Sequence, residues 1–394
     1  SYDMNAMNNT LMFSQLAVGS YTFVVTASDS SPVSNKQLRS NSFTVTAGST
    51  TVPTAIDLKD CGTVQAGQTS GCVTELQNLL LQQGYTQSVT GYFDSTTESN
   101  LKSFQTWAGK TATGTVNADT RTALYTRSKV QINQGYCATR TWKEGARGGC
   151  VASLQTYKNL RVPQYLLDQP GSASYAVDGH FGKGTYYGIG VFQALKCLTL
   201  DGEVGSGTAA ALVNNTNACP SLSPTDPACP TGTTQVTLQA GQEVRVAGTV
   251  QAGARMCRID GLPSGARESD SSSAFYVTNA SGKAIVRSTV AKDWVDLVAA
   301  AKAAGTTLSA NSTYRTTVRQ IYICLYEDST KNCTLTSGST NVGRPGHSNH
   351  QGGKAIDFAN SSTSDTAVFK WLNSNAKKYN ITNYAPEPWH WQHD

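Results

Sequence analysis

The sequence predicts a multidomain chain: a short β segment, then two small three-helix repeats, then a C-terminal α+β domain. Three observations carry this reading. The length of 394 residues suits two to four domains at ~100–200 residues each. A series of Leu-Gln and Phe-Gln pairs with Gly-rich turns occurs twice in the same order, the mark of an internal repeat. A Pro/Ser/Thr-rich stretch at 220–234 then gives way to alternating strand-like and helical patterns that neither repeat contains.

Residues 1–49 read as β, because 21–27 and 42–46 are β-branched and aromatic and are bounded by Gly and Ser-Pro turns. They are similar to the last strands of an immunoglobulin-like sandwich, which needs ~100 residues when whole, so a remnant is expected. A linker at 47–54 leads to the first repeat, 55–128. There Leu76, Leu79 and Leu80 fall at i, i+3 and i+4, the spacing of a packed helical face. Leu76-Gln77, Gly91-Tyr92-Phe93-Asp94, Phe104-Gln105 and Thr113-Gly114 match, in the second repeat at 138–216, Leu154-Gln155, Asp178-Gly179-His180-Phe181-Gly182, Phe192-Gln193 and Asp201-Gly202. The final domain, 230–394, opens with strands near 235–238 and 243–246. A helix is expected at 294–304, with Trp294, Leu297, Val298 and Ala301 on one face.

Charged residues make up 14% of the chain, against a usual ~25%, and the net charge is +5 with no basic cluster. That argues against a nucleic-acid partner. No apolar run approaches the ~18 residues of a membrane span, and residues 1–5 have no signal-peptide pattern, so any such peptide is expected to have been removed. The ten cysteines form no C-x-x-C, and an even number spread over several segments points to disulfides rather than to a zinc ribbon or buried thiols. The expectation is a secreted, extracellular monomer.

The chemistry concentrates at the end of the chain. Four of the five histidines, His347, His350, His390 and His393, lie in the last fifty residues beside Asp357 and Glu387. His350 falls in a Gly/Pro loop and Asp357 in a strand-like run. His390 suits a strand, while Pro388 lacks an N–H and leaves Glu387 to the incoming loop. Clustered His with a carboxylate raises a metal site.

Both repeats resemble the three-helix peptidoglycan-binding domain of cell-wall hydrolases, the first copy departing from the pattern at Phe93-Asp94 and Thr113-Gly114. The series Ser348-x-His350-x-x-Gly353-x-Ala355-x-Asp357, with Glu387-x-Trp389-His390 downstream and Ser312-x-Tyr314-Arg315 upstream, resembles the VanY-type D-alanyl-D-alanine carboxypeptidases. These belong to the zinc LAS group, which also holds wall-lytic L-alanyl-D-glutamate endopeptidases and the hedgehog signalling domain. The resemblance implies an LAS-type zinc peptidase domain with one Zn2+ per chain, held by His350, Asp357 and His390. It implies Glu387 as general base, Arg315 as transition-state anchor, Ser348, Tyr314 and Gln320 as substrate contacts, and peptidoglycan as partner. Two imidazoles and one carboxylate leave one tetrahedral position open, as a catalytic zinc requires. Carboxypeptidase and endopeptidase share these motifs, so the bond cut stays open, as does a non-catalytic wall-binding zinc protein.

Overall fold

Four buried glutamines organise the two repeats. Each donates through Nε2 to a loop carbonyl and to a threonine of the next helix, and accepts through Oε1 from the N–H of a turn glycine. Gln77 bonds Tyr92 O (2.9 Å), Thr97 and Gly91 N; Gln105 bonds Thr115 O (2.8 Å), Thr120 and Gly114 N. Gln155 bonds His180 O (3.0 Å), Thr185 and Gly179 N; Gln193 bonds Glu203 O (2.9 Å), Thr208 and Gly202 N. The four glycines have φ between +71° and +75°, where a side chain is strained. A side-chain amide both donates and accepts, so one residue satisfies a whole turn that the chain would otherwise bury unpaired. This is the physical content of the repeated Leu-Gln and Phe-Gln pairs.

The computed structural model describes residues 51–394 apart from Ala173, Ala240 and 264–282; of residues 1–50 it describes four short strands. Those strands form two antiparallel pairs, Gly19–Tyr21 with Phe43–Val45 and Val24–Ala27 with Lys36–Arg39. The expected immunoglobulin-like packing lies outside the described residues. In the first repeat the helices are α1 Gly71–Gln82, α2 Ser95–Trp107 and α3 Ala118–Thr126, capped by the side chains of Ser70, Asp94 and Asn117. The second has α4 Gly149–Arg161, α5 Lys183–Leu195 and α6 Ser206–Asn214, each preceded by glycine. Glu75 and Arg147 join the repeats by an ion pair, and Gln82 reaches Arg147 O at 2.9 Å.

The C-terminal domain has a three-stranded sheet of β1 Thr233–Val236, β2 Met256–Pro263 and β3 Lys283–Arg287 in that order. Its second sheet has β4 Ala310–Ser312, β5 Ala355–Phe358, β6 Ile381–Asn383 and β7 His390–His393 in the order β4-β5-β7-β6. Helix α7, Ser288–Ala303, buries Trp294, Leu297 and Ala301 in one core with Val286, Ile356 and Trp391. It begins earlier than the sequence suggests because Val290 and Ala291 extend the same apolar face by a turn. Short helices α8 Thr317–Tyr322 and α9 Ala367–Asn375 complete the domain.

Two features differ from the expected beads on a string. The 220–234 stretch is pinned to the domain: Asp226 receives both Nε and Nη2 of Arg287, at 2.6 and 3.0 Å, and Cys229 is bridged to Cys257. The second repeat also shares a core with the C-terminal domain, Ile189 and Phe192 lying in one cluster with Val318, Ile321, Leu325 and Leu335. A relatively uncharged helix face explains this, since α5 is apolar on more than the side its own repeat needs. All ten cysteines are paired, as Cys61–Cys72, Cys137–Cys150, Cys197–Cys219, Cys229–Cys257 and Cys324–Cys333.

Lys158 is buried with its ammonium against Ser174 O, and burial pushes it down from 10.5 to about 8. Between pH 8 and 10.5 the unfolded chain therefore holds a proton that the folded chain has released. Stability contributed by this site rises with pH across that window, by up to ~3 kcal/mol. Lys158→Met should abolish that rise. Urea unfolding of both proteins at pH 8 and 10.5 measures it; an identical pH response would contradict the assignment.

Candidate metal and catalytic site

The site is built on strand register. Ser312 lies opposite Asp357 on β4 and β5, and Asp357 lies opposite His390 on β5 and β7. Side chains at facing positions emerge on the same side of a sheet, so three strands deliver a row of Ser312, Asp357 and His390. The alternate positions Ile356, Phe358 and Trp391 go to the core. His350 comes from the preceding loop. Gly353 closes that loop with φ +69° and approaches Arg287 so nearly that a Cβ would meet Arg287 N at 2.8 Å, hence the glycine in the motif. Gln351 accepts from Gly346 N and donates to Thr317 Oγ1, tying the loop to α8.

His350, Asp357 and His390 are all buried and offer ligand atoms within 4.8 Å of one another. Asp357 Oδ1 is 3.2 Å from His350 Nε2 and 2.9 Å from His390 Nδ1, and the two ring nitrogens are 3.2 Å apart. The outer nitrogens are occupied. His350 Nδ1 is 2.7 Å from Thr313 O, an acceptor only, so it carries the proton and Nε2 presents its lone pair. His390 Nε2 is 3.2 Å from Gln392 Oε1; with the proton there, Nδ1 also presents a lone pair. Burial pushes His350 down to about 4, with Arg315 adding to the effect, so it is neutral at physiological pH. Burial alone would raise Asp357, but its carboxyl is held well below the usual carboxylate range, and with both imidazoles neutral the charge that does so is the Arg315 guanidinium at its Oδ2. Two lone pairs and a carboxylate converging in a buried space suit a cation, and the donor set fits a divalent metal such as zinc. The other close grouping, Cys197, Cys219 and Glu243, offers no thiolate because its cysteines are bridged.

Glu387 stands beside this cluster. It lies in the turns between β6 and β7, where Asn383 Nδ2 donates to Glu387 O (3.1 Å) and His390 O (2.9 Å). Its Oε2 is 3.9 Å from His390 Nδ1, adjacent to the cluster without entering it, and burial raises its pKa. Arg315 donates from Nη2 to Asp357 Oδ2 (3.1 Å), from Nε to Ser312 Oγ (3.0 Å) and from Nη1 to Gln320 Oε1 (3.3 Å). Three of its five N–H groups are thus engaged. Ser312, Arg315, His350, Asp357, Glu387 and His390 border a cleft of about 940 Å³ that runs on to Glu327 and Asn341.

The residues expected to touch substrate divide. Ser348 borders the cleft. Tyr314 also borders the cleft, while its ring packs in a small core with Val236, Val244 and Met256 and its hydroxyl donates to Gln242 O. Gln320 is fully buried and acts on Arg315 and on Gly343 O. Gln320 faces into the protein because its amide finds both a donor and an acceptor there. Thr313, Asn383 and Gln392 were not singled out from the sequence. Gln392, two residues after His390 on a strand, was legible from alternation alone.

Gln392→Leu should weaken metal binding by about 10–100-fold, the usual effect of removing an outer partner of a ligating histidine. Competition against a chelator of known affinity measures this, and unchanged affinity would contradict the tautomer assigned to His390.

Residues 283–393 match the family model of the VanY D-alanyl-D-alanine carboxypeptidase, and residues 69–124 that of a peptidoglycan binding domain. No curated protein matches the chain. Among solved structures it is similar to the LdcB LD-carboxypeptidase, with 30% identity over 28% of this chain and 59% of that one and a TM-score of 0.24. It is also similar to VanYB in complex with D-alanine-D-alanine, with 28% identity over 28% of this chain and 72% of that one, TM-score 0.24. A vancomycin-resistance D,D-pentapeptidase VanY variant in complex with Zn(II) has 27% identity over 33% of this chain and 82% of that one, TM-score 0.24. The chain spans 59% of the length of the first of these relatives. Residues 283–393 are thus similar to the VanY carboxypeptidase family, and residues 69–124 to a family of peptidoglycan-binding domains.

Proposed function

We propose that this protein is a secreted, zinc-dependent peptidase that removes terminal D-alanine from peptidoglycan stem peptides. The observation that carries the reading is the buried convergence of His350 Nε2, Asp357 Oδ1 and His390 Nδ1, with Glu387 and Arg315 beside it on an open cleft. His350, Asp357 and His390 would hold one zinc ion, which when bound supplies Lewis-acid polarisation of the scissile carbonyl and activation of water.

The protein's own residues then divide the remaining work. Glu387 is half-buried and carries a raised pKa, which brings its carboxylate nearer to the range suited to proton transfer. It accepts the proton of the attacking water and passes it to the leaving amine. Arg315 cannot swing freely, because Ser312, Gln320 and Asp357 hold its guanidinium. It supplies a fixed positive charge where negative charge develops on the carbonyl oxygen. The first repeat, and the second by its matching glutamine-clamped helices, would hold the enzyme on its polymer. The fully bridged cysteines support an oxidising, extracellular setting.

One observation favours a second reading. The cleft continues past the metal ligands toward Glu327 and Asn341, further than a terminal D-alanine requires, and suits an endopeptidase that binds stem peptide along its length.

Mass spectrometry of defined muropeptides after incubation with the protein tests both. Loss of a terminal D-alanine supports the carboxypeptidase, and an internal cut supports the endopeptidase. Glu387→Ala should keep its metal and lose about 10²–10⁴-fold in rate. Cleavage by that variant at the wild-type rate would contradict the role of Glu387. A wild type that cleaves nothing would leave a wall-binding protein.

A further inference from the structure

The cleft wall is built partly on the second repeat. Leu335 lies over Gly190 of α5, where a Cβ would come within 2.5 Å of Leu335 Cδ1, and Leu335 N donates to the Tyr186 hydroxyl at 3.1 Å. Tyr187 meets the rings of Tyr326 and Tyr322 edge-on, at 5.4 and 6.3 Å. The loop that Leu335 belongs to is tied within itself. Cys324 and Cys333 are bridged, and the Asp328 carboxylate accepts from Thr330 N, Asn332 N, Cys333 N and Ser339 Oγ. Ser339, Asn341 and Gly343 of the same loop line the cleft. At its far end, Gly343 O accepts from Gln320 Nε2 at 2.7 Å, and Gln320 Oε1 accepts from Arg315. A continuous set of contacts therefore runs from α5 through the loop and Gln320 to the guanidinium beside Asp357.

We propose that the second repeat is the support behind one wall of the peptidase cleft, with Tyr186 and Gly190 as positioning residues that set the 334–343 loop and, through Gln320, Arg315. The inference that stem peptide lies against this loop rests on the peptidase reading above; the mechanical coupling does not. A rigid loop fastened at two points moves as a unit when one fastening is displaced, because packed contacts leave no slack. Tyr186 and Gly190 would then govern catalysis from a domain whose sequence speaks only of wall binding.

Gly190→Val tests this in the full-length protein. Valine is no worse a helix former than glycine, so a loss cannot come from weakening α5. The expected result is a fall in kcat/KM on muropeptides of between about 10- and 100-fold, shared between KM, through the 334–343 loop, and kcat, through Arg315, with metal content unchanged. Leu335→Ala should restore activity in the Gly190→Val background by removing the clash. Tyr186→Phe, which only deletes one hydrogen bond, should shift KM in the same direction by less, and it carries the test if Gly190→Val folds poorly. Hydrogen exchange supplies a readout independent of activity: Gly190→Val should raise exchange both at 334–343 and at 313–320. Unchanged KM in both variants, a loss that Leu335→Ala does not rescue, or exchange raised only in α5 would overturn the proposal. If the wild type cleaves no muropeptide, the peptidase reading fails and the exchange result alone decides the coupling.

Discussion

The pairing of Asp357 with His390 across β5 and β7 is the constraint on which the C-terminal domain depends. Strand alternation makes it unforgiving. A slip of one residue would send Asp357 and His390 into the core and bring Ile356 and Trp391 to the cleft. The core thus enforces the site: Ile356, Phe358 and Trp391 are buried against α7, and their burial fixes the register that aims the ligands. Stability and chemistry share the same residues at alternate positions.

That register also creates an electrostatic conflict. It sets a carboxylate and two ring nitrogens within about hydrogen-bonding distance of one another, in a space where water cannot screen them. Thr313 O and Gln392 Oε1 draw the ring protons outward, so the inner atoms meet as acceptors. Arg315 relieves part of the conflict from the far oxygen of Asp357, and a divalent cation would relieve the rest. Arg315 therefore has a structural task at Asp357 as well as its place on the cleft. Glu387 stands beside the conflict and not in it: its Oε2 lies 3.9 Å from His390 Nδ1, and it is not one of the three residues whose ligand atoms converge.

Much of this was legible in the sequence, for identifiable reasons. His350, Asp357, His390 and Glu387 are readable because their spacing reflects one loop and two strands, local units whose geometry sequence distance fixes. The repeat was legible for a similar reason: each glutamine serves a turn a short way downstream, so the pair recurs with the turn. Partners distant in sequence were hidden. The partner of the Tyr314 hydroxyl, Gln242 O, lies 72 residues away. Gln320 was expected to touch substrate, and only the fold shows Gly343 O beside it. The shared core of α5 and α8 could not be read at all, because an apolar helix face does not say which neighbour it covers.

The architecture couples anchoring to chemistry more closely than a string of modules would. The first repeat has its own core, whereas the second is packed into the domain that carries the site. That domain's cleft-lining loop, its disulfide at Cys324–Cys333 and the Arg315 network form one continuous body. The chemistry proposed for that body presupposes a metal at the His–Asp–His cluster. X-ray absorption at the zinc edge, on protein reconstituted with one equivalent of Zn2+, measures this most directly. The account predicts a low-coordinate shell of nitrogen and oxygen at ~2.0–2.1 Å, with two imidazole signatures of which His390→Ala removes one. Sulfur in the shell, or an imidazole signature unchanged in His390→Ala, would contradict it.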